Sequence, residues 1–338
     1  MRSAAERSGA HTAIAAVNEA LAERAFVTGG AGFIGSTLVD RLLGLGWSVT
    51  AFDSLDDSLY SRARRSSHLR AAVQSPRFDL IQGDTRDAAT IARAMAAARP
   101  TVVFDLAARA GVRPSISDPL AYIDVNVRGL QNTLTAVANV SARLVFASSS
   151  SIYGNDPRRP FREDQASGRP TSPYGATKIA GEALAHAHHE ATHLPVGVAR
   201  LFTVYGPRQR PDLAIHSFAT RMLAGQPIEL FADGLGLRDY TYVDDVVDAL
   251  VRIAASPDTW LTVNVGSHRP IETRAVVAEL ERALQVRAVS HLMPAQAGDV
   301  DATFADISRA RERLGWQPET SFSVGIDRFC DWLRSERG

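Results

Sequence analysis

The stretch Phe26-Val27-Thr28-Gly29-Gly30-Ala31-Gly32-Phe33-Ile34-Gly35 constrains this chain more than any other part of it. An apolar run passes through clustered glycines into a helical pattern. Gly30, Gly32 and Gly35 satisfy the spacing G-x-G-x-x-G, and Gly29, Gly32 and Gly35 satisfy the wider G-x-x-G-x-x-G equally well. Glycine at such a junction permits a tight turn, the close approach of a pyrophosphate and the packing of helix on strand. The helix N-terminus then offers its N–H groups to the anion. A glycine-rich turn can also do no more than join a strand to a helix, so the rest of the chain must decide.

The rhythm that follows supports a nucleotide site. Short apolar runs at 25–28, 48–53, 78–82, 101–106, 144–148 and 196–201 alternate with helical patterns at 34–45, 88–98, 120–137 and 174–189. Near-continuous apolar strands between helices predict a parallel sheet covered on both faces. The expected fold class is therefore α/β, a doubly wound parallel sheet of the Rossmann kind, with ligands beyond the carboxyl ends of the strands. After residue 201 Gly and Pro become frequent, as in Tyr205-Gly206-Pro207 and Gly234-Leu235-Gly236. Three parts are expected: an N-terminal extension over 1–22, a dinucleotide-binding domain over 23–200, and a smaller substrate-binding lobe over 201–338 partly interleaved with it. That lobe should end in helices near 308–314 and 324–333.

Two carboxylates strengthen the cofactor reading. Asp53 ends the second strand, where a carboxylate would bond the adenosine ribose hydroxyls. Asp84 follows the third strand, within reach of an adenine. Because no arginine immediately follows Asp53 to neutralise a 2′-phosphate, the expected cofactor is NAD rather than NADP.

The lysine count points to the chemistry. Of 37 basic residues, one is lysine, Lys178, and the rest are arginine. Arginine can replace lysine wherever a generic positive charge suffices, but it cannot imitate a compact ammonium. Lys178 stands four residues after Tyr174 in Tyr174-Gly175-Ala176-Thr177-Lys178, so on a helix the two share one face. A nearby positive charge favours the phenolate, making a general base for a hydroxyl whose carbon gives up hydride. Ser148-Ser149-Ser150-Ser151 leaves a strand at its carboxyl end, where a hydroxyl can bond the reacting oxygen opposite the tyrosine.

Taken in order, T-G-G-A-G-F-I-G, the S-S-S-S-x-Y-G strand end, Y-G-A-T-K, V-Y-G-P and R-D-Y-T-Y-V-D-D resemble the extended short-chain dehydrogenase/reductase family of NAD-dependent sugar epimerases and dehydratases. The likeness covers nearly everything after residue 23. It implies Ser149, Tyr174 and Lys178 as catalytic residues. It also implies a tightly held NAD, contacted by Gly29, Gly32, Phe33, Ile34, Gly35, Asp53, Asp84, Tyr174 and Lys178. By the same resemblance Arg238 would hold the nucleotide diphosphate and Asp299 the nucleotide ribose. The chain departs from the pattern at Asp105, where many relatives have histidine, and at Leu201, where an aromatic is usual.

The serine tetrad narrows the reaction. Relatives that dehydrate hexoses carry an Asp-Glu pair at the positions of Ser150 and Ser151, and those that decarboxylate uronic acids typically carry Glu at the second. Eliminating water needs an acid and a base beyond the tyrosine, and serine supplies neither. Removal and return of hydride, a 4-epimerisation, remains. The segment Phe202 to Asp212 is similar to the region of UDP-uronate 4-epimerases that recognises the sugar carboxylate. By that match Ser150, Thr203 and Arg210 would hold it, the guanidinium by two parallel hydrogen bonds. Arg208 and Arg210 also suit solvated loop charges or diphosphate ligands. The expected activity is interconversion of UDP-glucuronate and UDP-galacturonate, against a 4-epimerase of a neutral UDP- or dTDP-hexose and a catalytically silent NAD-binding regulator.

Other classes find little support. Acidic residues equal basic ones at 37, with no basic tract, so the charge footprint of a nucleic-acid binder is missing. The first twenty residues are too interrupted by charge for a secretion signal, and no run of apolar residues reaches membrane-spanning length. A short amphipathic helix is expected over 12–23. The single cysteine, Cys330, beside Phe329 and Trp332, fits a packed helix and a reducing cytoplasm. His186, His189 and His193 have metal-ligand spacing on a helix, but without cysteine or supporting carboxylate they read as a solvated face, and no metal is expected. Tyr240 and Tyr242 read as core. A homodimer is what the family implies.

Overall fold

The computed structural model describes residues 23–58, 61–165, 168–294 and 302–336; the expected N-terminal helix, but for Glu23, lies outside them. The strands that build the site are β1 (Arg24–Thr28), β2 (Ser48–Asp53), β3 (Phe78–Gln82), β4 (Val102–Asp105), β5 (Arg143–Ser149), β6 (Val196–Leu201), β7 (Thr203–Tyr205), β8 (Ile228–Phe231), β9 (Leu237–Tyr242) and β10 (Trp260–Val265). Seven of these form a parallel sheet in the order β10-β6-β5-β4-β1-β2-β3. The chain runs outward from β1 to β3, then restarts at β4 on the other side of β1. The direction of winding thus reverses between β1 and β4, which opens a crevice above their carboxyl ends.

Burial explains why these strands read as unbroken apolar runs. In β1, Ala25 and Val27 belong to one core cluster and Phe26 to another, on the opposite face. The first cluster takes Leu38, Val39 and Leu42 from the helix Phe33–Gly44 and Val246, Val247 and Leu250 from the helix Val243–Ala255. The second takes Ile91 and Met95 from the helix Ala88–Ala98, and Leu130, Leu134 and Val137 from the helix Gly129–Val140. With helices on both faces, the inner strands β1, β4, β5 and β6 are buried along nearly their whole length, while the edge strand β3 keeps Asp79 and Gln82 exposed.

Two elements differ from expectation for a local reason. The helix expected over 120–137 appears as Pro119–Ile123, a π turn over Asp124–Arg128, and Gly129–Val140. Inside the π turn, buried Asn126 accepts from Arg109 N at 2.8 Å and donates to Arg109 O at 2.9 Å, which holds the loop after β4. A wide turn of this kind is a frequent mark of functional positions in helices. β4 stops at Asp105 because Leu106 N and Ala107 N turn to Thr28 Oγ1, at 3.2 and 3.1 Å.

Beyond β6 a small sheet forms around β9, which pairs with β7, with Pro270–Glu272 and with Ala302–Thr303. β10 then returns to the edge of the large sheet beside β6, so the later half of the chain contributes to both layers. Tyr240 and Tyr242 are buried, as their pattern implied. Cys330 is buried in the helix Phe322–Ser335, where burial pushes its thiol up to about 12. His186 and His189 pack on Trp260, while His193 takes a left-handed conformation at the helix end, so the three do not share one face. His186 is nonetheless exposed, in line with a solvated face, while His189 is half-buried with Nδ1 2.8 Å from Leu194 O.

Candidate active site

One cavity of about 540 Å³ opens above the carboxyl ends of β1, β4 and β5. Its lining joins the glycine turn (Gly29, Gly32, Phe33, Ile34, Gly35) to Asp53, Asp84, Ser149, Ser150, Tyr174, Lys178, Thr203 and Arg210. A volume in this range suits a small-molecule site.

The turn is built for close approach. Gly29 has φ +68, and a Cβ on Gly35 would sit 2.1 Å from Gly29 O, so neither position tolerates a side chain without moving the loop. No side chain caps the helix Phe33–Gly44 and no acidic residue occupies its first turn. Its N-terminal N–H groups therefore keep their capacity for an anion. Asp53 is fixed beside this turn, accepting from Ala31 N at 3.0 Å and from Leu55 N at 2.8 Å. These features fit the pyrophosphate and ribose of a dinucleotide. Arg65, from the helix Arg62–His68, comes within 3.7 Å of Asp53, a neighbour that local sequence around Asp53 does not reveal. The Asp84 carboxylate is gripped by Arg86, whose hydrogen bonds hold it below the usual carboxylate range.

His68 supports the turn from below. It is buried, with Nδ1 3.3 Å from Ala31 O, and burial holds the imidazole down to about 4. An unfolded chain would titrate there near ~6.5. The folded state thus excludes a proton that the unfolded state accepts below ~6.5, so stability is full above that pH and is lost as pH falls towards 4. We expect about 2–3 kcal/mol of unfolding free energy to disappear between pH 7.5 and 4.5, and H68N to lose markedly less over that range. Denaturant titrations at both pH values test this, and equal losses in the two proteins would refute it.

The helix Pro173–Thr192 delivers Tyr174 and Lys178 together. Ser172 caps it by accepting from Gly175 N at 3.1 Å, and Pro173 suits its first turn. Gly175 lets this end reach the serine turn, since a Cβ there would lie 2.8 Å from Ser151 O. Lys178 is buried; its Nζ donates to Ala147 O at 2.6 Å and lies 6.0 Å from the Tyr174 ring centroid and 5.0 Å from that of Phe146. Tyr122 meets Tyr174 edge-on at 6.3 Å. Ser149 ends β5, with Oγ accepting from Ser151 N and donating to Ser151 Oγ, each at 3.2 Å.

Several residues that hold this arrangement carry no local signal. Ser115 Oγ accepts from Tyr174 N at 3.1 Å, and Asn126 donates to Thr177 Oγ1 at 3.0 Å, so the loop after β4 and the helix start are bonded to each other. Asp105 is fully buried and accepts from Thr28 Oγ1 at 2.6 Å; burial pushes its carboxyl up, favouring the neutral form.

From the loop after β7, Arg210 donates to Ala110 O at 3.1 Å and makes a two-point pair with Asp212, Nε to Oδ1 at 2.9 Å and Nη2 to Oδ2 at 2.5 Å. Arg208 instead pairs with Asp40 of the helix Phe33–Gly44 at 2.7 Å and does not line the cavity. Arg238, on β9, donates to Leu237 O at 2.9 Å and also lies outside the lining. Asp299 falls outside the described residues. Among the described residues no group of three or more His, Cys, Asp or Glu is placed to hold a metal ion, and no helix is long and apolar enough to cross a membrane.

Known proteins align with nearly the whole of this arrangement. The family described as GDP-mannose 4,6 dehydratase matches residues 26–329. A probable UDP-glucuronate 4-epimerase of Rhizobium meliloti is 34% identical, over 91% of this chain and 96% of its own length. A UDP-glucose 4-epimerase of Mycolicibacterium smegmatis is 36% identical, over 93% and 99%. The crystal structure of UDP-glucuronic acid 4-epimerase from Bacillus cereus, in complex with UDP-glucuronic acid and NAD, is 31% identical, with a TM-score of 0.87 over 92% of this chain and 99% of that one.

Proposed function

The chain belongs to the family described as GDP-mannose 4,6 dehydratase, within the extended short-chain dehydrogenases/reductases, and on that premise we propose that it is an NAD-dependent 4-epimerase interconverting UDP-glucuronate and UDP-galacturonate. The observation that carries this reading is the convergence of Tyr174, Lys178, Ser149, Ser150, Thr203 and Arg210 on one cavity whose serine strand end bears no carboxylate.

The glycine turn, Asp53, Asp84 and Lys178 hold NAD, which takes up the C4 hydride and gives it back. Tyr174 accepts the C4 hydroxyl proton and later returns it, and Lys178 favours the phenolate. Ser149 donates a hydrogen bond to the C4 oxygen. Ser150, Thr203 and Arg210 hold the C6 carboxylate, Arg238 the diphosphate and Asp299 the nucleotide ribose. The division of labour assigns residues 23–200 mainly to the cofactor and 201–338 mainly to the nucleotide sugar. We assign the enzyme to the cytoplasm, in keeping with its single, buried cysteine, and to a homodimer, supported by Ile116, Leu120 and Ile123, apolar side chains exposed on the helices after β4.

A second reading has its own support: Arg210 already faces a carboxylate in Asp212, and one relative is named for UDP-glucose. A neutral hexose is then the substrate. The purified protein, given UDP-glucuronate and no added cofactor, is followed by proton NMR. UDP-galacturonate is the expected product. Turnover of UDP-glucose with none of UDP-glucuronate would establish the second reading, and no turnover of either would refute both.

A further inference from the structure

Two carboxyl groups lie around the lysine of the proton-transfer pair, Asp105 on β4 and Glu182 four residues on in the same helix. Asp105 approaches from β4, where burial pushes its carboxyl up and Thr28 Oγ1 donates to it at 2.6 Å. Glu182 lies one helical turn beyond Lys178, on the same face of the same helix, in the series Tyr174, Lys178, Glu182. Its charge is answered by an arginine from the neighbouring strand.

Arg200, on β6, sits in register with Ser148 of β5 and turns to the same helix. Its Nε donates to Glu182 Oε1 at 3.0 Å and its Nη2 to Glu182 Oε2 at 2.8 Å. Ser148 Oγ donates to the same Oε1 at 2.5 Å, immediately beside the carbonyl of Ala147 that receives Lys178. The third nitrogen, Nη1, donates to Tyr153 OH at 3.0 Å and Glu163 O at 2.8 Å. Tyr153 OH in turn donates to Asn264 Oδ1 at 2.6 Å. Arg200 is buried, so its geometry is set by these partners rather than by water. A guanidinium fork is suited to this two-point grip in a way an ammonium is not.

We propose that Arg200 is a positioning residue for proton transfer: by gripping Glu182 it keeps that carboxylate from Lys178, so the lysine's charge stays directed at Tyr174. The inference rests on the reading of Tyr174 as the base. The charged and titratable groups around the pair are Asp105 on β4, Lys178 and Glu182 on the helix, Arg200 on β6 with Tyr153 and Glu163 against it, and Tyr122 on the helix Pro119–Ile123 with Arg109, Arg210 and Asp212 close by; Glu163 also has Arg309 at 3.8 Å. Of these, Glu182 is the carboxylate that loses its partner when Arg200 is changed. An uncancelled negative charge some two helical turns from the phenol, in a medium of effective dielectric ~20, shifts its ionisation by about one pH unit.

The test needs no substrate. The NAD-loaded enzyme is titrated by ultraviolet difference spectroscopy, with Y174F as reference, to follow the Tyr174 phenolate. R200M should move that ionisation up by about one pH unit, about a tenfold loss of phenolate at pH values below it. R200K, which keeps the charge and loses the fork, should move it less than R200M does, and E182Q/R200M, with both charges removed, should return towards wild type. An unmoved R200M, or a double variant displaced as far as the single one, overturns the proposal. Should R200M fail to fold or to retain NAD, E182Q alone asks the question in reverse. The unopposed guanidinium then moves the ionisation down, and no movement overturns the proposal. If wild type and Y174F show the same titration, the assignment of Tyr174 as base falls first, which separates that failure from this one.

Discussion

Tyr174→Phe should lower kcat for UDP-glucuronate epimerisation by about 10³-fold or more while leaving binding of the nucleotide sugar nearly unchanged. A positioned general base is worth roughly 10²–10⁴-fold, and here one phenol serves twice, taking the C4 proton and returning it. The substitution removes one oxygen and little else. The edge-on contact with Tyr122 uses the ring, the bond to Ser115 uses Tyr174 N, and the cap at Ser172 uses Gly175 N. The helix start should therefore stay in place, and Lys178 should keep its bond to Ala147 O. Product formation by NMR and binding of UDP-glucuronate by calorimetry separate the two effects. An unchanged kcat would remove Tyr174 from the chemistry, and a collapse of binding would mean that the hydroxyl holds substrate rather than moving its proton.

The parts of this site that were legible in the sequence are those written in consecutive residues. The glycine turn, the Tyr174–Lys178 spacing, the serine strand end and the carboxylate at the end of β2 each need only a strand or helix to place them. The apolar runs of β1 to β6 marked six of the sheet's seven strands, most clearly where burial on both faces leaves a continuous apolar pattern; β10, which returns from far along the chain to the edge beside β6, was not among them. Even the rarity of lysine was informative, because a single exception in a chain of arginines marks a position where a compact ammonium matters.

What stayed hidden depends on pairs far apart in the chain. Asn126 looks like one polar residue in an amphipathic helix until the π turn shows it bonded to Arg109 and Thr177. Ser115 carries no motif, yet it receives the N–H of Tyr174. Arg65 stands twelve residues after Asp53 and reaches it only because a short helix folds back. Arg200 reads as an arginine in an apolar strand, and its meaning rests on Glu182 and Tyr153, on other elements. Helix and strand periodicity report which face is buried, and they are silent on which buried polar group finds which partner. Asp105 marks the same limit: its departure from the family pattern was visible, while its buried bond to Thr28 was not.

Arg210→Ala should lower kcat/KM for UDP-glucuronate by about 10²–10³-fold, the scale expected when one partner of a charge-assisted, largely desolvated pair is removed. Its effect on UDP-glucose should be much smaller. A second consequence follows from the chemistry of the oxidised sugar. Oxidation at C4 of a uronic acid gives a β-keto acid, which loses carbon dioxide when the bond to its carboxylate aligns with the carbonyl π system. Holding the carboxylate out of that alignment, while the ring turns between the two faces, requires a rigid grip at two points. Arg210 is suited to this because the main-chain oxygen of Ala110 and the carboxylate of Asp212 already fix its fork at the cavity wall. The substrate carboxylate then displaces Asp212 from the fork while Ala110 O keeps the guanidinium at the wall, so one two-point pair is exchanged for another. In the alanine variant, NMR should show UDP-pentose beside the residual UDP-galacturonate. Arg210→Lys, which keeps the charge and loses the fork, should recover affinity better than it suppresses the pentose, because alignment depends on geometry and attraction depends on charge. Normal uronate kinetics in the alanine variant would show that Arg210 does not touch the carboxylate, and would favour the neutral hexose.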